Sequence, residues 1–270
     1  DLDFTGDAPT GQIALPLPAD LGDVENVDLR GWDGNTWAYM PSQIDTAAGE
    51  VDAAEGALPL AVALVRAAPD TQPVISVELA PDAAVPEDVA PLVGETSVGP
   101  LVLDQSGSLT GDIAGLPEGA NRFVRVTNRG AVVDQAAITA FLNEPAMQDA
   151  QISGLVEQAK ANGFAGVHVD YQGIPAAMSV AYTEYVNRLA DALHAESMQL
   201  AITLGTPAPV GNGWDTGGQN WAALGQAADI VHVQMPLDPA AYVAGGPAEQ
   251  LVGWAVQQID RNKVNLLLTA

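Results

Sequence analysis

The sequence predicts an α/β protein: a (β/α)8 TIM-type barrel over residues 71–270, with its last strand missing, preceded by a small all-β domain over residues 20–70 and a linker over residues 1–19. Three observations carry this reading. After Pro69-Asp70, short apolar runs alternate with helix-like stretches and have turn signals at both joins, the pattern of a parallel sheet wrapped by helices. None of those runs is followed by G-x-G-x-x-G or a phosphate loop, which favours a barrel over a doubly wound nucleotide fold. Before residue 70 the apolar runs are joined by short turns instead, as in hairpins.

The elements follow in order. Thr5-Gly6-Asp7-Ala8-Pro9 and Leu15-Pro16-Leu17-Pro18 read as a linker leading into a first strand, and Asp1 reads as the start of a processed or trimmed chain. Val27 to Trp32 and Thr36 to Met40 flank Asp33-Gly34-Asn35, a hairpin signal because Asp-Gly readily takes the positive backbone angles of tight turns. Gln43-Ile44-Asp45 and Leu60 to Val65 continue as strands. Trp32, Trp37 and Tyr39 are either packing residues, the favoured reading in so small a core, or a sugar-stacking patch. The barrel strands are read at Val74–Leu79, Leu101–Asp104, Phe123–Thr127, Val167–Tyr171, Leu200–Leu204, Ile230–Met235 and Val264–Thr269. Helices are read at Asp134–Leu142, Asp149–Ala161, Val180–Ala195, Trp221–Ala227 and Ala248–Asn262. Seven strands are visible. Either the polypeptide continues beyond Ala270 to supply an eighth, or the count of early strands is off by one.

Composition narrows the partners. Acidic residues outnumber basic ones 34 to 9, a formal charge of -25, so the surface repels phosphate backbones and anionic headgroups, and nucleic acid is excluded as a partner. No run is long and apolar enough to insert in a membrane. Cysteine is absent, which removes disulfides, thiol catalysis and thiolate metal sites together. That fits a bacterial exported protein or a cytosolic one equally.

The stretch richest in chemistry is Phe164-Ala165-Gly166-Val167-His168-Val169-Asp170-Tyr171-Gln172-Gly173. In a strand, Val167, Val169 and Tyr171 share one side and His168, Asp170 and Gln172 the other. If the polar side faces the inside of a closed sheet, it is a ligand site or a tight hydrogen-bond network, because unpaired burial costs several kcal/mol in order of magnitude. His232, on the inward face of the sixth strand, joins His168 and Asp170 as a conceivable metal set. No local H-x-H or H-x-x-x-H pair supports it, and neither metal nor other cofactor is expected. His194 reads as surface, Trp221 and Trp254 as core. Trp214, in the loop after the fifth strand, either stacks on a sugar or seals its loop onto the barrel.

The same stretch resembles the fourth strand of glycoside hydrolase family 18, whose signature is D-x-x-D-x-D-x-E. Laid on it, this chain reads Ala165-x-x-His168-x-Asp170-x-Gln172, keeping one acidic position of four. Leu103-Asp104-Gln105-Ser106-Gly107-Ser108-Leu109 is similar to the D-G-S-L turn of the spore-cortex-lytic branch, and Val124-Arg125-Val126-Thr127-Asn128 to its V-x-V-T-N strand. Phe141-Leu142-Asn143-Glu144-Pro145, Tyr182-Thr183-Glu184-Tyr185-Val186 and Leu200-Ala201-Ile202-Thr203-Leu204 follow in family order. The resemblance covers about residues 73–270. It gives Asp170 the position that helps the substrate's acetamido group act as nucleophile, and puts Gln172 where the proton donor stands. Active members carry M-x-Y-D near the end of strand six; here Gln234-Met235-Pro236-Leu237-Asp238 lacks the Tyr, and Tyr242 is the nearest substitute.

The resemblance thus implies a secreted or cell-surface protein, catalytically impaired, that binds N-acetylglucosamine-containing glycan of peptidoglycan or chitin type. Asp170, Gln172, Asn128, Trp214 and Tyr242 are the candidate contacts, and His168, Asp170 and Gln172 the degenerate catalytic positions. Two alternatives stand beside it: a glycosidase with a displaced acid such as Asp238, and a structural module assembled with other surface-protein chains.

Overall fold

The computed structural model describes residues 10–22, 24, 26–53, 56–66, 75–80, 83–113, 121–211 and 213–268. The turn at Thr5 to Pro9, the boundary at Pro69-Asp70 and the strand end at Thr269 lie outside them. The chain divides into two units, Asp1–Pro73 with Gln250–Arg261 and Val74–Glu249 with Asn262–Ala270.

In the first unit, Val27–Trp32 pairs antiparallel with Trp37–Tyr39 on one side and Ala61–Arg66 on the other. The turn between the first two forms as read. Asp33 Oδ1 accepts from the backbone N–H of Asn35 and of Thr36, both at 2.7 Å, and Gly34 takes a φ of 106° that a side chain would oppose. A second sheet orders Ala14–Pro16, Glu50–Ala53 and Ser42–Asp45. Thr10–Gly11 pairs with Gly56–Ala57. Part of the stretch read as linker is therefore strand. Its Leu-Pro alternation looks like a turn-rich tether, yet Ile13, Leu15 and Leu17 pack against the core formed by Leu29, Val51 and Ala53.

The second unit holds seven parallel strands: β1 (Ile75–Leu79), β2 (Val93–Leu103), β3 (Arg122–Thr127), β4 (Gly166–Asp170), β5 (Gln199–Leu204), β6 (Ile230–Gln234) and β7 (Val264–Leu267). Each pairs with its sequence neighbour, in the order β1 to β7. This is a nearly closed barrel, and among the described residues no eighth parallel strand occurs. Its helices are α1 (Gln135–Leu142), α2 (Pro145–Ala161), α3 (Ser179–Ala195) and α4 (Trp221–Ala227), while most of α5 (Pro247–Gln258) belongs to the first unit.

Two elements outrun the sequence reading. β2 begins eight residues earlier than Leu101, because Gly99-Pro100 looks like a turn but is a bulge: the register with β3 shifts between Val98 and Leu101, which removes the need for the amide that proline lacks. α2 begins four residues before Asp149, since Pro145 stands at its first position, where the missing N–H is no loss. α5 stops at Gln258 and a 3-10 turn follows at Arg261–Lys263.

Strand alternation then sorts the side chains. Val124, Val126, Val167, Val169, Leu200, Ile202, Val231 and Val233 face outward and are fully buried under the helices. Each contributes roughly 1.5–3 kcal/mol in area removed from water. Tyr171 continues the outward row and packs with Phe141 and Tyr185, ring centroids 6.1 and 6.2 Å away. The inward row mixes apolar residues such as Phe123, Ala201 and Ile230 with polar ones, Ser76, Glu78, Glu95, Ser97, Arg125, His168, Asp170, Thr203, His232 and Asn265.

Candidate functional site

β4 puts His168 and Asp170 into the barrel lumen, with Gln172 just beyond its end. His168 is fully buried, and both of its ring nitrogens are taken: Nδ1 lies 2.7 Å from Ser97 Oγ and Nε2 2.7 Å from Thr203 Oγ1. Burial, then His232 and Arg125, push its pKa well below the usual imidazole value, so it is neutral at ordinary pH. The His232 ring stacks on it at 4.7 Å, and His232 Nε2 lies 3.1 Å from Glu95 Oε1. The other Glu95 oxygen accepts from Ser76 Oγ at 2.7 Å, and Asn265 Nδ2 donates to Ser76 Oγ at 3.0 Å. Both histidines are thus members of a hydrogen-bonded filling, and no group of three or more metal-ligating side chains is arranged around an ion position among the described residues.

Nearer the C-terminal rim, Asp170 and Gln172 are each only 5% exposed. Gln172 Nε2 donates to Asp170 Oδ1 at 2.9 Å and to the Thr203 carbonyl at 3.2 Å. Arg125 Nη1 stands 3.4 Å from Asp170 Oδ2 and 2.6 Å from Glu78 Oε2. Burial pushes Asp170 up to about 6, with Glu78 adding to the rise and the Gln172 bond and Arg125 opposing it. Asn128 is a splint. Its Oδ1 accepts from the Gln172 N–H at 2.8 Å, and its Nδ2 donates to the Gln172 carbonyl at 2.9 Å. Asn128 thereby holds the loop after β4 while also lining the cavity at the ends of β2 and β3.

Trp214 sits in a hairpin of Ala208–Val210 with Gly213–Asp215 and is partly exposed. Tyr242 is 48% exposed and donates its hydroxyl to the Pro236 carbonyl at 2.8 Å. Asp238, read as a displaced acid, accepts from the Ala240 N–H and caps a 3-10 turn at the surface. His194 is exposed and pairs with Asp229 at 2.9 Å, Trp221 is buried and Trp254 partly so. At the ends of β2 and β3, a cavity of about 580 Å³ opens among Asp104, Gln105, Asn128, Val132 and Asp134.

Sequence reasoning missed Glu78, Glu95, Arg125, Thr203 and Gln219. Glu78, Arg125 and Thr203 sit at inward parity on strands that were read correctly, so extending the alternation from β4 to its neighbours finds them; Glu95 lies in the part of β2 before Leu101 that the sequence reading left out. Gln219 had no such signal. It donates to the Tyr171 carbonyl at 3.2 Å and accepts from the Gly205 N–H at 2.9 Å, from a loop of unremarkable composition.

No family model matches the chain, and no curated protein is similar to it in sequence. Solved structures are similar in fold. A class V chitinase from Pseudomonas fluorescens is 22% identical with a TM-score of 0.54, over 66% of this chain and 61% of that one. The spore cortex-lytic enzyme SleL of Bacillus megaterium is 18% identical with a TM-score of 0.59, over 78% and 54%. A chitinase from Chromobacterium violaceum is 18% identical with a TM-score of 0.56, over 72% and 68%. The chain spans less than two thirds of the length of the first two. Seven parallel strands paired in sequence order and these neighbours agree: the fold is the barrel fold of these chitinases and the cortex-lytic enzyme.

Proposed function

We propose that this chain is a non-hydrolytic barrel of the extracellular space or cell surface that binds N-acetylglucosamine-containing glycan, of peptidoglycan or chitin type, at the C-terminal rim. The observation that supports the loss of hydrolysis is Gln172: where the sequence resemblance puts the proton donor this chain has an amide, buried, with its nitrogen committed to Asp170 and Thr203. An amide can bond a glycosidic oxygen but has no proton to give, and general acid catalysis supplies typically 10²–10⁴-fold. The rim cavity beside Asn128, with Asp104, Gln105 and Asp134 as hydrogen-bonding groups, supports glycan binding, as does the fold shared with a chitinase domain solved in complex with a chitin oligomer. Titration of the full chain with chitin oligomers and muropeptides tests this, alongside hydrolysis of a chromogenic N-acetylglucosaminide. Saturable binding without turnover is expected; no binding at millimolar ligand refutes the reading.

One observation favours a second reading. Asp170 is buried and fully engaged, so a sugar reaching it has to displace the Arg125 and Gln172 contacts first. A barrel that serves only as a rigid block in a surface assembly needs no open groove, and the same titration separates the two.

A further inference from the structure

The three-stranded sheet of the first unit has two faces, and its core uses one. Leu29, Val62, Leu64 and Met40 pack on that side. On the other, Trp32 lies directly across the ladder from Trp37, and Arg30 from Tyr39. The Arg30–Tyr39 end of this face is occupied. Tyr39 donates its hydroxyl to the Val256 carbonyl at 2.6 Å, and Arg30 pairs with Asp260 at 2.9 Å. At the hairpin end Trp37 is 47% exposed and leans on a partly exposed Trp32, ring centroids 5.6 Å apart and planes 43° from each other. On the third strand the residue opposite Trp32 is Ala61, which covers little of the ring.

Two adjacent tryptophans turned away from the available core forgo much of the stabilisation that burial would give, since an aromatic side chain is the largest apolar surface a residue can bury. The turn beside them is held rigid by Asp33, and exposed Asn35 and Thr36 stand at its tip as hydrogen-bonding neighbours. Apolar ring faces flanked by hydrogen-bonding groups suit a pyranose, whose C–H face stacks while its hydroxyls bond. A formal charge of -25 selects against polyanions. We propose that Trp32 and Trp37 form a saccharide-binding platform on the first unit for an uncharged pyranose chain.

The test uses the full chain with insoluble chitin and with soluble hexasaccharides of N-acetylglucosamine and of glucose, reading the pelleted fraction and intrinsic tryptophan fluorescence. The wild type should be retained and its emission should shift on saturation. Trp37→Ala should weaken retention about tenfold, and Trp37→Thr, which keeps the β propensity of the hairpin, should do the same with an unchanged melting temperature. Trp214→Ala should leave the fluorescence shift of the hairpin pair in place, so failure of the rim reading and failure of this one are distinguishable. Wild-type retention by Trp37→Ala and Trp37→Thr, absence of binding to every probe, or a dimer in sedimentation that Trp37→Ala abolishes would each overturn the proposal, the last by assigning the pair to contact with a second copy.

Discussion

Replacing Asp170 by Asn asks how much the lumen loses by holding a carboxylate. Its pKa is raised from 3.8 to about 6, chiefly by burial, and its side chain is 8% exposed, so solvent screening removes little. The folded-state value lies above the unfolded one. The native state therefore binds the extra proton between about pH 4 and 6, and the stability this brings is complete below pH 4 and lost as pH rises through 6. Two units correspond to about 3 kcal/mol over the whole window. With 34 acidic residues against 9 basic ones, net charge falls toward zero near pH 4 and invites precipitation, so the usable range is pH 5 to 8. At pH 5, one unit below the folded value, about 1.4 kcal/mol of that contribution remains; at pH 8 none does.

Asn keeps an oxygen for Gln172 Nε2 but sets an amide nitrogen toward Arg125, losing a contact that is long in the native chain. Both effects of the substitution are independent of pH, so the useful quantity is the change in the difference between variants. Urea unfolding at pH 5, 6, 7 and 8 should show Asp170→Asn gaining on the wild type by about 1.4 kcal/mol from pH 5 to pH 8. His168 acts in the opposite sense in both proteins, since its depressed pKa makes stability fall below pH 6.5, and it cancels in the difference. A difference between variant and wild type that is flat with pH, or that moves against the variant toward pH 8, refutes burial as the cause of the shift.

Arg261→Ala should destabilise the first unit by about 2–3 kcal/mol in thermal or urea unfolding, because buried Asp28, 2.7 Å from Arg261, is left with Arg30 at 3.4 Å; a loss under about 0.5 kcal/mol would put the pair among weak surface contacts. Asn265→Leu removes the side-chain bond that ties β7 to β1. Hydrogen exchange of the Ile75–Leu79 amides should speed up severalfold, as fits a bond worth about 1 kcal/mol, with Gly166–Asp170 unchanged, and equal exchange in both variants counts against a side-chain closure of the barrel.

The parallel strands were legible because their apolar runs are short, rich in Val and Ile, and bounded by turn signals, as at Val167–Val169 and Ile230–Val233. The start of β2 was not, since Gly94, Gly99 and Pro100 punctuate it like a loop and only the partner strands reveal a bulge. The polar face of β4 was legible from period two alone, but its choice between site and network was not. That choice depends on Ser97 and Glu95, more than seventy residues away in sequence, which meet the histidines, and on Ser76, which meets Glu95. The aromatic hairpin reversed in emphasis. Tyr39 packs as the composition of a small core suggests, whereas Trp37 turns to solvent, because the opposite face of its sheet was already filled by aliphatic residues.

Gln172 is more than an acid with its charge removed. Its Nε2 faces two acceptors, Asp170 Oδ1 and the Thr203 carbonyl, and an amide supplies two N–H groups for them. A protonated Glu has one O–H to divide between the same pair, and an ionised Glu has none and adds a second negative charge 2.9 Å from the first. Gln172→Glu should therefore lower stability by about 1–3 kcal/mol at pH 7, the cost of leaving buried acceptors unmet, and the gap should narrow as pH falls, because the Glu pKa is raised by burial and by Asp170. The substitution adds no group at the end of strand six, and the new carboxyl is buried against Asp170 and the Thr203 carbonyl. Hydrolysis of N-acetylglucosamine oligomers by this variant should thus stay within a few-fold of background. A clear gain in turnover at unchanged stability would show that the surroundings of residue 172 still fit an acid, and would return the chain to the glycosidases it resembles in fold.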